Sequence, residues 1–248
     1  MQIAVIIAAS GSGLRLGGDM PKQFQPIGGK PILAHTMDAF NRAGIVSKII
    51  VTAPAEYVAR AWEIARDNGL HKVRAIITGG DNRAASIYAA LKALPFVGTG
   101  PENLPKPHSP TEIVLIHDGV RPFVSEDLIQ AVAKAASTHD AAITGTPLTD
   151  TIKEVDKNAK ITATPDRSRF WQVQTPQGFT YELIMKAYVR GEKDGILSQA
   201  TDDSMLVERL GITVHMVAGD PGNIKITTQV DLAMGEILLR DTERLGVK

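Results

Sequence analysis

Ile3-Ala4-Val5-Ile6-Ile7-Ala8-Ala9-Ser10-Gly11-Ser12-Gly13-Leu14-Arg15-Leu16-Gly17-Gly18-Asp19-Met20-Pro21-Lys22-Gln23-Phe24 runs from an apolar stretch straight into a glycine-rich loop. Ile3 to Ile7 carries no polar residue, as expected of a strand covered on both faces in a parallel sheet. Three small residues and four glycines follow, with Arg15 and Lys22 seven positions apart. The backbone of such a loop can close around a polyphosphate while two cations reach it. The ligand class implied is a nucleotide, with chemistry at its phosphates.

Two other phosphate loops are excluded by spacing. A dinucleotide fingerprint needs glycines at relative positions one, three and six and an acidic residue about 20 positions on. Here the sixth position is Leu16, and the second strand runs into Thr52 and Ala53. A Walker A loop needs Gly-Lys followed by Ser or Thr, whereas Gly18 leads to Asp19 and Met20. A plain tight turn would explain the glycines but not Arg15 and Lys22.

Outward from this loop, strand-like and helical patterns alternate. Strands are expected at 3–9, 48–53, 73–78, 112–117 and 141–146, and helices at 32–43, 55–68, 84–94 and 125–137. Regular alternation means crossover units, so the fold class is α/β, with one mostly parallel, helix-covered, Rossmann-like sheet. Ligands then belong at the carboxyl ends of the strands. The segment 95–111, with five prolines and two glycines, reads as a long surface loop. Within 147–169, Thr149 to Val155 and Ile161 to Thr164 read as two short strands joined by a turn at 156–160. A polar hairpin cannot bury itself, and a second subunit is its natural support. Beyond it come a short strand near 172–174, helices near 181–190 and 201–210, a strand at 213–217 and a final helix at 229–244.

Composition narrows the function. The 248 residues suit one large domain, taken as 1–248 with the hairpin arm inside it. Lys plus Arg and Asp plus Glu number 27 each, so there is no global positive field for nucleic acid or an anionic membrane. With no cysteine and six scattered histidines, neither a thiolate nucleophile nor a cysteine zinc site is available. No apolar run is long enough to span a membrane and the N-terminal run is no signal segment, so a cytoplasmic protein is expected.

Several further pieces fall at the same strand edge. His117-Asp118-Gly119-Val120-Arg121-Pro122 sets a carboxylate and a guanidinium three apart, suited to a hydroxyl or metal and a phosphate, or to a simple ion pair. Gly79-Gly80-Asp81, with Ser86 a helical turn later, can read a base edge or cap a helix. Gln174-Thr175-Pro176-Gln177 ends a strand, and Lys225 stands in the uncharged run Gly222 to Thr227. Thr201-Asp202-Asp203 reads most simply as a helix cap.

Taken together, Gly11-Ser12-Gly13-Leu14-Arg15, Pro21-Lys22-Gln23-Phe24, Gly80-Asp81, His117-Asp118 with Arg121-Pro122, Asp150-Thr151, Asp166-Arg167 with Trp171, Gln174 to Gln177, Thr201-Asp202 and Asn223-Ile224-Lys225 resemble, in order and spacing, the 2-C-methyl-D-erythritol 4-phosphate cytidylyltransferases. The resemblance covers nearly the whole chain. It implies a nucleotidyltransferase fold, a homodimer interlocked by the arm, and transfer of CMP from CTP to methylerythritol phosphate, in isoprenoid precursor synthesis. It implies that Arg15, Lys22 and Lys225 are the cations around the reacting phosphates. Ala8, Ala9, Gly11, Ser12, Gly13, Gly80, Asp81 and Ser86 would hold the nucleotide. Asp118, Arg121, Thr175 and Lys225 of one subunit, with Thr151 and Arg167 of the other, would hold the methylerythritol phosphate. Magnesium would ride mainly on the CTP phosphates, with Asp118 a possible protein ligand.

Gly119 and Val120 depart from the two alanines many members carry, and the 95–111 loop is longer than the family minimum. Ribitol 5-phosphate cytidylyltransferases share much of the pattern, but the segments 150–153 and 166–171 look more like the methylerythritol enzymes. A nucleotide-binding regulator without catalysis would be expected to have lost Lys22 or Lys225, and both are present.

Overall fold

The computed structural model describes residues 2–11, 20–97 and 113–245. Ser12, Gly13, Arg15 and most of the proline-rich 95–111 loop therefore lie outside the described residues. The apolar run at the N-terminus forms β1 (Ile3–Ala8), flanked by β4 (Val46–Ala53) and β6 (Ile113–Asp118), both parallel to it. With β5 (Val73–Thr78), β7 (Ala141–Pro147), β10 (Trp171–Thr180) and β11 (His215–Ala218) they make a 7-stranded sheet in the order β11-β7-β10-β6-β1-β4-β5. Only β10 runs antiparallel to its neighbours. The short strands β2 (Pro26–Ile27) and β3 (Lys30–Pro31) pair separately.

Alternation along β1 sends its side chains to two cores. Ile3, Val5 and Ile7 pack with Leu33, Met37 and Phe40 of α1 (Ile32–Arg42), Ala61 and Ile64 of α2 (Val58–Asp67), and Leu128 and Val132 of α4 (Glu126–His139). Ala4 and Ile6 pack with Ile87 and Leu91 of α3 (Arg83–Ala93), Ile184 and Tyr188 of α5 (Tyr181–Lys193), and Leu206 and Val207 of α6 (Ser204–Glu208). The last helix is α7 (Gln229–Leu245). After β5 the chain crosses back to place β6 on the other side of β1. This reversal of strand order opens a crevice at the carboxyl ends of β1 and β6, where open α/β sheets bind ligands.

Three expectations need correction. The strand expected near 172–174 is the ten-residue β10, so Gln174-Thr175-Pro176-Gln177 lies within a strand. Its pairing with β7 is irregular between Val173 and Gln177, because Pro176 has no N–H to donate to the ladder. The helix expected at 201–210 shrinks to α6, and Asp203 precedes it without capping it by its side chain. In the arm, β8 (Glu154–Val155) and β9 (Ile161–Ala163) are shorter than expected, although the turn is well made. Asp156 Oδ1 accepts from the amides of Asn158 and Lys160 at 2.8 and 3.0 Å. The arm is also less polar than it reads, since Val155, Ile161, Phe170, Trp171 and Val173 are all exposed.

Candidate active site

The carboxyl ends of β1, β4 and β5 are stitched together by backbone. The amide of Ala9 donates to the Thr52 carbonyl at 3.0 Å and that of Gly79 to the Ala53 carbonyl at 2.9 Å. The approach is so close that a Cβ on Gly79 would sit 2.2 Å from the Cβ of Ser10. The Ser86 hydroxyl, buried in α3, accepts from the Ser10 hydroxyl at 2.7 Å and the Gly80 amide at 3.0 Å, and donates to the Asn82 carbonyl at 2.9 Å. Ser86 thus ties Gly80 to the start of the phosphate loop. The helix cap is Asn82, whose side chain accepts from the Ala85 amide at 2.9 Å, which leaves exposed Asp81 free of that duty.

The Pro21 to Phe24 turn holds the other side of the loop. Gln23 is buried and donates through Nε2 to the carbonyls of Ala9 and Gly11 at 2.6 and 2.9 Å. Phe24 stacks on Tyr57 with centroids 4.7 Å apart. Lys22 opens the same 3-10 turn and so stands at the rim of the loop.

Across the crevice, Asp118 ends β6 opposite Ala8. Its Oδ2 lies 2.9 Å from Lys225 Nζ and 3.5 Å from Arg121 Nε, and its Oδ1 lies 3.3 Å from Arg83 Nε. Burial alone would raise the Asp118 pKa, but Arg83, Lys225 and Arg121 outweigh it and hold the carboxyl well below the usual carboxylate range. One carboxylate facing three cations leaves an excess of positive charge for an anionic ligand. Arg121 Nη1 also donates to the Asn223 carbonyl at 2.7 Å, and Asn223 Nδ2 to the Thr175 carbonyl at 2.8 Å. Among the described residues, Arg121 Nε and Asn223 Oδ1 are buried with no hydrogen bond, Arg121 Nε keeping only its ion-pair contact with Asp118.

His117 is fully buried behind this cluster, edge-on to Phe40. Its Nε2 faces the Arg121 carbonyl at 3.0 Å, so Nε2 carries the proton and Nδ1 accepts from the Thr175 hydroxyl at 3.0 Å. That hydroxyl in turn accepts from the Asp118 amide at 3.1 Å. Burial pushes the His117 pKa down from 6.5 to about 4. The unfolded chain therefore takes up this proton at higher pH than the folded one. Stability is complete above the unfolded pKa and is lost as the pH falls through the folded one, by about 3 kcal/mol for this group. Urea unfolding at pH 7.5 and 4.5 should show a larger acid loss for the native chain than for His117→Gln; equal losses would clear His117 of that role.

The structure thus assembles Asp118, Arg121, Thr175 and Lys225 into one cluster, and Ala8, Ala9, Gly11, Gly80 and Ser86 into an adjoining backbone-lined wall. Thr151 and Arg167 are exposed on the arm, and the hydrogen bond of Arg167 stays within it, to the Thr149 carbonyl. Sequence reasoning missed Arg83. A cation in the first turn of a helix opposes the helix dipole, and that anomaly was the available signal. Of the triplet Thr201-Asp202-Asp203, read as a helix cap, Asp202 Oδ1 does accept from the Met205 amide at 3.0 Å, whereas Asp203 turns inward and its Oδ2 lies 2.8 Å from Arg83 Nη2. Among the described residues no three His, Cys, Asp or Glu side chains are grouped to hold a metal. A magnesium ion carried by nucleotide phosphates would have Asp118 as a possible protein ligand here.

Comparison with known proteins gives one answer. The family model for IspD, 2-C-methyl-D-erythritol 4-phosphate cytidylyltransferase, matches residues 3–241. The 2-C-methyl-D-erythritol 4-phosphate cytidylyltransferase of Symbiobacterium thermophilum is 38% identical over 98% of this chain and 94% of its own length. That of Geobacter metallireducens is 39% identical over 97% and 99%. The crystal structure of 4-diphosphocytidyl-2C-methyl-D-erythritol synthase from Anaerococcus prevotii superposes with a TM-score of 0.78 at 31% identity, covering 96% of this chain and 98% of that one.

Proposed function

The chain belongs to the 2-C-methyl-D-erythritol 4-phosphate cytidylyltransferase family and performs its reaction, and we propose that it does so as one domain in the crevice between β1 and β6. CMP passes from CTP to the phosphate of methylerythritol phosphate, and pyrophosphate leaves, a step of isoprenoid precursor synthesis. The observation that supports this placement is the cluster of Arg83, Arg121 and Lys225 around Asp118, beside the glycine loop.

In this reading, a phosphate oxygen of methylerythritol phosphate attacks the α-phosphorus of CTP. Two polyanions meet and negative charge builds in the transition state, so catalysis rests on positioning and fixed positive charge. The attacking phosphate is already ionised near neutral pH and needs neither a nucleophilic side chain nor a general base. Arg15, Lys22 and Lys225 line the reacting phosphates. Arg121, Thr175 and Asp118 hold the polyol phosphate. The wall of Ala8, Ala9, Gly11, Gly80, Asp81 and Ser86 takes the nucleotide, and by the sequence resemblance Ser12 and Gly13 share that role. Magnesium bound to the CTP phosphates would neutralise part of their charge, and Asp118 is the protein carboxylate that could help to hold it.

The exposed apolar residues Val155, Ile161, Phe170, Trp171 and Val173 support a partner subunit over the arm. That partner brings Thr151 and Arg167 to the neighbouring site. No helix among the described residues is long and apolar enough to cross a membrane.

Pyrophosphate release tests the substrates directly. Turnover with methylerythritol phosphate should far exceed that with ribitol 5-phosphate, and CTP should be preferred to ATP and GTP if, as expected, the pocket around Gly80 and Asp81 is too confined for a purine. Equal turnover of ribitol phosphate would overturn the acceptor, and equal use of ATP the base pocket.

A further inference from the structure

Arg83 joins two carboxylates that lie 85 positions apart in the chain, Asp118 at the end of β6 and Asp203 before α6. Asp203 is fully buried and is itself fixed from two sides. Tyr188 donates to its Oδ1 at 2.6 Å, and its amide donates to Gln177 Oε1 at 3.1 Å. Gln177 lies two residues beyond Thr175 on β10, and Thr175 accepts from the Asp118 amide. The contacts close a ring: Arg83, Asp118, Thr175, β10, Gln177, Asp203 and back to Arg83. Within it the two Asp118 oxygens divide the work, Oδ1 facing Arg83 while Oδ2 faces Lys225 and Arg121.

We propose that Arg83 is a positioning residue for the polyol-phosphate subsite: anchored by Asp203, it orients the Asp118 carboxylate so that Oδ2 sets Lys225 and Arg121 where the acceptor phosphate binds. The guanidinium suits this task because its fork spans two carboxylates at once, which a lysine ammonium cannot do in the same geometry. The inference rests on the placement of methylerythritol phosphate at Arg121 and Lys225.

Steady-state kinetics on Arg83→Met, Arg83→Lys and Asp203→Asn, with Arg121→Ala as the control for the subsite, tests it. In Arg83→Met the KM for methylerythritol phosphate should rise about tenfold or more and kcat should fall about a hundredfold, the scale of a misplaced reacting group. The KM for CTP should stay within about threefold. Arg83→Lys should recover part of the loss, and Asp203→Asn, which keeps the shape of the side chain, should change the same KM in the same direction. A merely structural arginine would lower the melting temperature and the active fraction and leave both KM values alone, which would overturn the proposal. A rise confined to the KM for CTP would also overturn it, placing Arg83 with the nucleotide. If Arg83→Met does not fold, the same criterion applies to Arg83→Lys and Asp203→Asn. If Arg121→Ala also leaves the KM for methylerythritol phosphate unchanged, the subsite assignment fails, and the proposal with it; a rise there without one in the Arg83 and Asp203 variants refutes the positioning role alone.

Discussion

Lys22→Ala and Lys225→Ala are each expected to lower kcat by about two to four orders of magnitude, or roughly 3 to 5 kcal/mol of transition-state stabilisation. The reaction gathers negative charge on the α-phosphate and the departing pyrophosphate, and each lysine meets that charge with no reorganisation of its own. The two differ in what else they hold. Lys225 Nζ lies 2.9 Å from Asp118, so its loss also leaves that carboxylate to Arg83 and Arg121. Lys22 opens the turn whose Gln23 grips the Ala9 and Gly11 carbonyls. Neither change should abolish folding, because the buried Asp118 carboxylate keeps Arg83 and Arg121 when Lys225 is lost. Single-turnover rates alongside thermal melts are the check. A variant with native melting and near-native turnover would reduce its lysine to a surface charge.

Mixed dimers are expected to recover about a quarter of wild-type activity from two nearly inactive parents, Lys22→Ala and Arg167→Ala. Lys22 lies on the core of its own subunit, whereas Arg167 sits exposed on the arm with its hydrogen bond directed back to Thr149. If the arm completes the neighbour's site, a mixed dimer has one doubly defective site and one intact site. Random re-association makes about half the dimers mixed, and half the sites in those are whole. Subunit exchange can be confirmed by intact-mass measurement before the assay. Activity that stays at the level of the parents after exchange would put Arg167 in its own subunit's site or outside catalysis.

The parallel strands and the helices that cover them were legible because burial on both faces leaves an unmistakable mark: Ile3 to Ile7, Ile49 to Val51 and Ile113 to Ile116 are wholly apolar. The extent of β10 beyond the short strand read near 172–174 was not legible, for the opposite reason. Gln174, Thr175 and Gln177 are buried polar residues, satisfied by Asp220, His117, Asp118 and Asp202 at long range, so hydropathy could not distinguish them from a loop. The Arg83–Asp203 contact spans 120 positions, and nothing local to either residue announces the other. The glycine loop, Asp118, Arg121 and Lys225 stood out in the sequence by residue type and spacing, and the structure brings the last three together. Arg83 acts on another side chain, and that task constrains the sequence far less visibly.

Apart from the exposed Asp81, the wall assigned to the cytosine base is made of main chain and the smallest side chains, with Gly79 so close to Ser10 that even a methyl group would collide. A surface of that kind offers evolution very little to adjust. A side chain lining a pocket can be exchanged for another that excludes an unwanted molecule while the fold survives. Here a substitution large enough to exclude a competitor would force apart the ends of β1 and β5, and the nucleotide would lose its seat with it. Resistance to an inhibitor pressed against this wall would have to arise elsewhere, from changes that favour the natural nucleotide at its phosphates.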